Sequence, residues 1–180
     1  MREAGSTGPH IFLTGFMAAG KTTVGRVLAE HLGWTFIDLD RAIEERLGTS
    51  IPEIFARQGE EAFRRQETLS LGLLAQDQPA VVATGGGIVG RDENRLLMQR
   101  LGRVVFLDLP WEELLPRLQA QGGRPLATGV QGWDSVQRLY DARRPFYLQA
   151  DLRIDCRGLS PLEVAMAIAK KLNFCPEDGA

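Results

Sequence analysis

With 180 residues, of which 44% are hydrophobic and 24% charged, the chain has the size and make-up of one ordinary globular domain able to bury a proper core. A formal charge of −2, from 21 basic and 23 acidic residues, gives no sign of a nucleic-acid or membrane surface. Cys156 and Cys175 lie far apart without metal-type spacing, and with His10 and His31 the only histidines, neither a zinc site nor a disulfide framework is indicated.

Residues 1–9 are short and polar and contain Gly5, Gly8 and Pro9. They lack the apolar stretch of a signal peptide, and no apolar run reaches the roughly 18 residues of a membrane span. A cytosolic protein with reduced thiols is expected. The apolar run Ile11-Phe12-Leu13 then leads through Thr14 into Gly15-Phe16-Met17-Ala18-Ala19-Gly20-Lys21-Thr22-Thr23, and an apolar-periodic segment follows with Val24, Val27 and Leu28. Strand, tight loop and helix around G-x-x-x-x-G-K-[ST] form the context of a phosphate-binding loop. Gly15 and Gly20 allow backbone N–H groups to converge on phosphate oxygens, and the new helix aims its positive end at the same place. Lys21 is placed to meet the β- and γ-phosphates and the Thr22 hydroxyl to ligate Mg²⁺, so a nucleoside triphosphate is the expected ligand.

The first helix should run over Lys21 to Leu32 and end at Gly33. Trp34 to Ile37 reads as a second strand that stops at Asp38-Leu39-Asp40, and alternation would send both acids to one side. Carboxylates at a strand's C-terminal end sit where open α/β sheets bind ligands: one can hold Mg²⁺ through water, and the other can accept a proton from an attacking hydroxyl. The competing role for either acid is to cap the helix expected from Arg41 to Leu47. Ser50-Ile51-Pro52-Glu53 is a capping box that opens a short helix through Phe55 and Ala56, and a longer one follows from about Glu60 to Ala75. This helical insertion, about residues 39–78, is large enough to be a substrate-binding lobe.

Pro79 to Thr84 reads as a buried strand followed directly by Gly85-Gly86-Gly87, where backbone N–H groups could approach a ligand closely. Glu93 to Leu101 is the next helix, Arg103 to Asp108 a fourth strand, and Pro110 to about Ala120 a further helix. The Gly- and Pro-containing stretch of about 118–132, which includes Arg124, lacks periodicity and reads as a mobile lid. Helix returns from Ser135 to Gln149, interrupted at Pro145; Leu152 to Asp155 is the fifth strand; Ser160-Pro161-Leu162-Glu163 caps the last helix, to about Leu172. Residues 174–180 form a tail, as do residues 1–9. Strands alternating with helices, without repeats or linkers, make one α/β domain with a parallel sheet. Arg64, Arg124 and Arg143 on ligand-side segments offer forks for an anionic acceptor beside the nucleotide, the alternative being solvated surface side chains.

Taken together these strings resemble the shikimate kinase family from about Ile11 to Leu172. The match runs through the phosphate loop Gly15 to Thr22, Phe36-Ile37-Asp38-Leu39-Asp40, Ile51-Pro52-Glu53-Ile54-Phe55, Gly59 to Glu67, Thr84 to Gly87, Arg124-Pro125-Leu126 and Arg143-Arg144-Pro145-Phe146-Tyr147. The resemblance implies a three-layer α/β/α fold with a five-stranded parallel sheet, a P-loop NTPase of the nucleoside monophosphate kinase type. It also implies phosphorylation of the 3-hydroxyl of shikimate from ATP, on the route to chorismate and the aromatic amino acids.

For the residues it implies that Gly15, Ala18, Ala19, Gly20, Lys21, Thr22 and Thr23 hold ATP, with Arg117 stacked on adenine. Lys21 and Arg124 would neutralise the transferring group, and Thr22, with Asp38 through water, would hold Mg²⁺. Asp40 would bind the acceptor's hydroxyls and orient or deprotonate the attacking one, Arg64 and Arg143 would grip its carboxylate, and Glu67 would fix Arg64. Gly85, Gly86 and Gly87 would contact the ring by backbone, and Phe55 and Phe63 would pack against it. A monomer is implied. The chain departs from many members in having Leu39 between the two acids and in its lid sequence Leu126-Ala127-Thr128-Gly129. A kinase for another hydroxylated acceptor such as gluconate, and a ligand sensor without turnover, are the rival readings.

Overall fold

The computed structural model describes residues 10–74, 78–120 and 132–174. Most of the expected lid, with Arg124, and the ends of both tails lie outside the described residues. Five strands form one parallel sheet: β1 (His10–Thr14), β2 (Thr35–Asp38), β3 (Ala80–Ala83), β4 (Gly102–Asp108) and β5 (Leu152–Asp155), in the order β2-β3-β1-β4-β5. β1 and β3 are buried along their whole length, as strands covered on both faces must be, and their sequences are accordingly continuous apolar runs rather than alternating ones.

Each parallel step needs a crossover, and the helices supply it: α1 (Lys21–Leu32), α2 (Leu39–Leu47), α3 (Ile51–Leu73), α4 (Asp92–Leu101), α5 (Trp111–Ala120), α6 (Gly132–Tyr147) and α7 (Pro161–Lys171). α1 packs on the sheet together with α7. α4 packs on β4 from the other face, where the end of α6 also lies. The alternation of β1 shows the division, since Leu13 meets Gly25 of α1 while Thr14 faces the α4 and α6 side. The result is the expected three-layer α/β/α arrangement.

Three details of the expected elements change. α2 begins at Leu39 rather than Arg41, because the Asp38 side chain accepts from the Arg41 N–H and caps the helix. Asp40 therefore sits in a helical first turn, and strand alternation does not place the two acids. α6 runs through Pro145 to Tyr147 without interruption; a proline in the last turn removes one backbone donor and leaves too little helix beyond it to break. The two helices expected between Ser50 and Ala75 are one element, α3, bent at Gly59 (φ 80°, ψ 171°). Ser50 and Glu53 close the capping box at its start.

Register then assembles the site. Leu13 pairs with Ala83 and Asp38 with Ala83, so β1, β3 and β2 end side by side. Thr84 continues the pairing by donating from its N–H and its hydroxyl to Leu13 O, at 3.2 and 2.9 Å. The loop after β1, the acids after β2 and the glycines after β3 all leave one edge of the sheet.

Candidate active site

At that edge lies a cavity of about 570 Å³, lined by the loop after β1 (Met17, Ala18, Gly20, Lys21, Thr22, Thr23), by Asp38 and Asp40, and by the strand end Ala83 to Gly86. Arg117, Ala120 and Pro161 also line it. The loop bends through positive φ at Ala18 (60°) and Gly20 (92°), the second of which caps α1. Glycine takes this conformation freely, whereas Ala18 carries strain on the order of 1 kcal/mol, the kind held at ligand-binding turns. Lys21 Nζ reaches back over the loop to donate to Gly15 O and Phe16 O at 2.9 and 3.0 Å, which puts its charge above the N-terminus of α1.

Thr22 Oγ1 donates to Asp38 Oδ2 at 3.1 Å. Asp38 therefore both caps α2 and meets the first turn of α1. The oxygens of Thr22 and Asp38 are hard donors of the type Mg²⁺ takes, and among the described residues no group of three or more His, Cys, Asp or Glu forms a cage.

Behind Asp38, Asp40 is largely buried, and its Oδ1 has no hydrogen-bond partner. Burial, reinforced by the like charge of Asp38 and opposed by Lys21, holds its carboxyl above the ordinary value. Glu67, on α3, is fully buried, also with one orphaned oxygen, Oε1. Burial pushes it up to about 7 against the lowering effect of Arg64. A Cβ added at Gly85 would stand 2.7 Å from Asp40 Oδ1 and 3.0 Å from Glu67 Oε1, so the two orphaned oxygens converge on a backbone that only glycine allows.

Arg64 is held on two sides, by Glu67 Oε2 at 2.9 Å and by Glu60 Oε1 at 2.7 Å. These bonds outweigh burial and keep its guanidinium above the ordinary value. Its head lies against Gly87, where an added Cβ would be 2.4 Å from Nη2. Arg143, on α6, is half-buried, and burial together with the nearby Arg64 charge lowers its guanidinium despite the opposing influence of Tyr147. Two arginines close enough for their charges to act on each other, beside a buried carboxylate, offer forks of the type that suits an anion.

Of the residues singled out in the sequence, the cavity joins Ala18, Gly20, Lys21, Thr22, Thr23, Asp38, Asp40, Gly85, Gly86 and Arg117 directly. Gly87, Arg64 and Glu67 follow from them through the contacts above, with Arg143 beyond Arg64. Gly15 and Ala19 shape the loop from beneath. Phe63 is buried in the core, 5.1 Å from the part-exposed Phe55, with the Arg64 guanidinium over its ring. Two residues were not legible in the sequence. Tyr147 is fully buried and donates to Gly86 O at 2.5 Å, and Glu60 is the second holder of Arg64. An aromatic at a helix end and a surface-type glutamate carry no signal of their own.

The comparisons agree with this geometry. The family model described as Shikimate kinase matches residues 17–173. The shikimate kinase of Synechococcus elongatus is 48% identical over 159 residues, spanning 88% of this chain and 83% of that protein. That of Geobacter sulfurreducens is 45% identical over 164 residues, 91% of each. Among solved structures, the shikimate kinase from Acinetobacter baumannii in complex with shikimate aligns with a TM-score of 0.85 at 38% identity, covering 93% of this chain and 94% of that one.

Proposed function

The chain belongs to the shikimate kinase family, an enzyme family that phosphorylates shikimate from ATP on the way to the aromatic amino acids, and on that premise we propose how its residues divide the work. The observation that carries the division is the shared edge of the cavity, where the phosphate loop meets Asp40 and the Arg64–Glu67–Gly85 cluster. ATP lies with its phosphates on residues 15–23 and its base toward Arg117. Shikimate lies toward Gly85 to Gly87, with its carboxylate between Arg64 and Arg143 and its ring against Phe55 and Phe63.

Asp40 accepts the proton of the 3-hydroxyl as that oxygen bonds to the γ-phosphorus and the bond to the β-phosphate oxygen breaks. A carboxyl held above its ordinary value is the stronger base for this step once ionised. Lys21 neutralises charge on the transferring group, joined by Arg124 from the lid. Thr22 and, through water, Asp38 would hold Mg²⁺, which would supply charge neutralisation at the phosphates. Glu67 and Glu60 fix the Arg64 fork, since alignment is most of what phosphoryl transfer asks of a protein. The enzyme is read as a cytoplasmic monomer.

Asp40→Asn tests the division. It should lower kcat by about 10²- to 10⁴-fold, the usual worth of a general base, with KM for ATP nearly unchanged in steady-state assays. An equal loss of ATP affinity would make Asp40 a metal ligand instead.

A further inference from the structure

Tyr147 ends α6 one turn after Arg143, and its ring is fully buried, stacked on Phe106 of β4 at 5.2 Å between centroids and 16° between planes. A ring clamped this way cannot swing, so its hydroxyl marks a fixed point. The phenol has one hydrogen, and it goes to Gly86 O at 2.5 Å. The oxygen is left to accept, and the Arg143 guanidinium on the same helix is near enough for its charge to act on it. One atom of a rigid ring thus touches the glycine triplet after β3 and lies within reach of the charge of an arginine of α6.

The bond to Gly86 O also fixes the neighbouring donor. In a planar trans peptide the N–H of Gly87 points away from the carbonyl of Gly86. With that carbonyl turned to Tyr147, the Gly87 N–H is turned to the opposite side, and no hydrogen bond among the described residues takes it up. The same residue carries the Arg64 head against its Cα. Gly86 itself is enclosed, with Gly15 O and Met17 N also within ordinary contact of an added Cβ. A rotation of this peptide would therefore be felt on the phosphate side as well.

We propose that Tyr147 is a positioning residue for the acceptor acid: its phenol locks the Gly86–Gly87 peptide plane and the Arg143 guanidinium into one geometry, so that backbone and side-chain donors are presented together. The proposal rests on the reading that Arg143 and the glycine triplet bind the acid. Tyr147 itself touches no reacting atom.

Tyr147→Phe keeps the ring and its stacking and removes only the hydroxyl. It should raise KM for shikimate about tenfold, the scale of one well-placed buried hydrogen bond, with kcat and KM for ATP within about twofold of the parent. Arg143→Gln, assayed in parallel, should raise the same KM, and the double variant should cost less than the product of the two. Thermal melts confirm that each variant is folded. A folded Tyr147→Phe enzyme with lowered Tm but unchanged KM for shikimate, beside an Arg143→Gln enzyme whose KM has risen, would overturn the Tyr147 role alone. An unchanged KM in Arg143→Gln would overturn the acid-binding reading, and the Tyr147 proposal with it.

Discussion

Glu67 shows how much of this site is decided by single side chains. It has no exposure to solvent, and it is the residue that links Arg64 to the carboxylate side of the cavity. Burial raises its folded-state value to about 7 from the ordinary 4.5. Between those two values the folded protein keeps a proton that the unfolded chain releases, so stability falls as pH rises through this window and levels off above about 7. Glu67→Gln removes the titration. Denaturant midpoints of parent and variant, compared from pH 5 to pH 8, should differ progressively, with the parent losing more on the way up; parallel profiles would mean that the Glu67 carboxyl ionises normally.

Gly85 is the second residue of this kind. An alanine there would push a methyl group between Asp40 Oδ1 and Glu67 Oε1, and both acids would have to move. The expected loss is about 1–3 kcal/mol, roughly tenfold to a hundredfold in kcat/KM, in a protein that still folds. Unchanged kcat/KM would show that the two carboxylates are free to shift without loss of alignment. The glycine itself was legible as a strand-end triplet, but its reason was not. The contact to two acids from α2 and α3 exists only once three elements are brought together.

At the scale of elements, the sequence was most legible where local chemistry alone sets the structure. The phosphate loop, the capping boxes at Ser50 and Ser160, and the αL ends at Gly33 and Gly48 all stand in the structure as such signals dictate. It misled where two local signals compete. The stretch Asp38-Leu39-Asp40 fits a strand end by alternation and a helix start by capping, and the cap to Arg41 N–H prevails. Pro145 reads as a helix breaker, yet its neighbour Tyr147 is held by core packing and carries the helix past it. Pro116, inside α5, is tolerated in the same way, with Leu114 and Leu118 buried on either side of it.

Gly59 is the informative bend. Its φ of 80° and ψ of 171° place it in a region that side-chain-bearing residues avoid, while a Cβ there would meet nothing within 4 Å. Gly59→Ala therefore isolates backbone strain from packing, and should cost about 1–3 kcal/mol, lowering Tm by several degrees. An unchanged Tm would mean that α3 straightens at no cost and that the bend does not aim Glu60, Arg64 and Glu67.

Over the whole molecule, the sheet order is what unites the site. β1 lies between β3 and β4, and β2 lies outside β3, so segments more than sixty residues apart, Leu13 and Thr84, become hydrogen-bonded neighbours. The α/β class and the number of strands were legible from alternating apolar runs and helical periods. The strand order was not, because a buried parallel strand has no pairing code in its own sequence. For the same reason the buried Asp108, which ties Arg144 of α6 and Arg153 of β5 to the end of β4, gave no sign of itself. Specificity belongs to this scale too. Phosphate loops serve many kinases, whereas the proposed acid receptor draws on α2, α3, the β3 end and α6 together.

ADP release by the purified protein from Mg-ATP, measured with shikimate and, in parallel, with gluconate and quinate, tests that joint specificity most directly. Turnover that requires shikimate, with the other two acids at background, is the predicted result. Comparable turnover with gluconate, or ATP binding without turnover on any of the three acids, would contradict it.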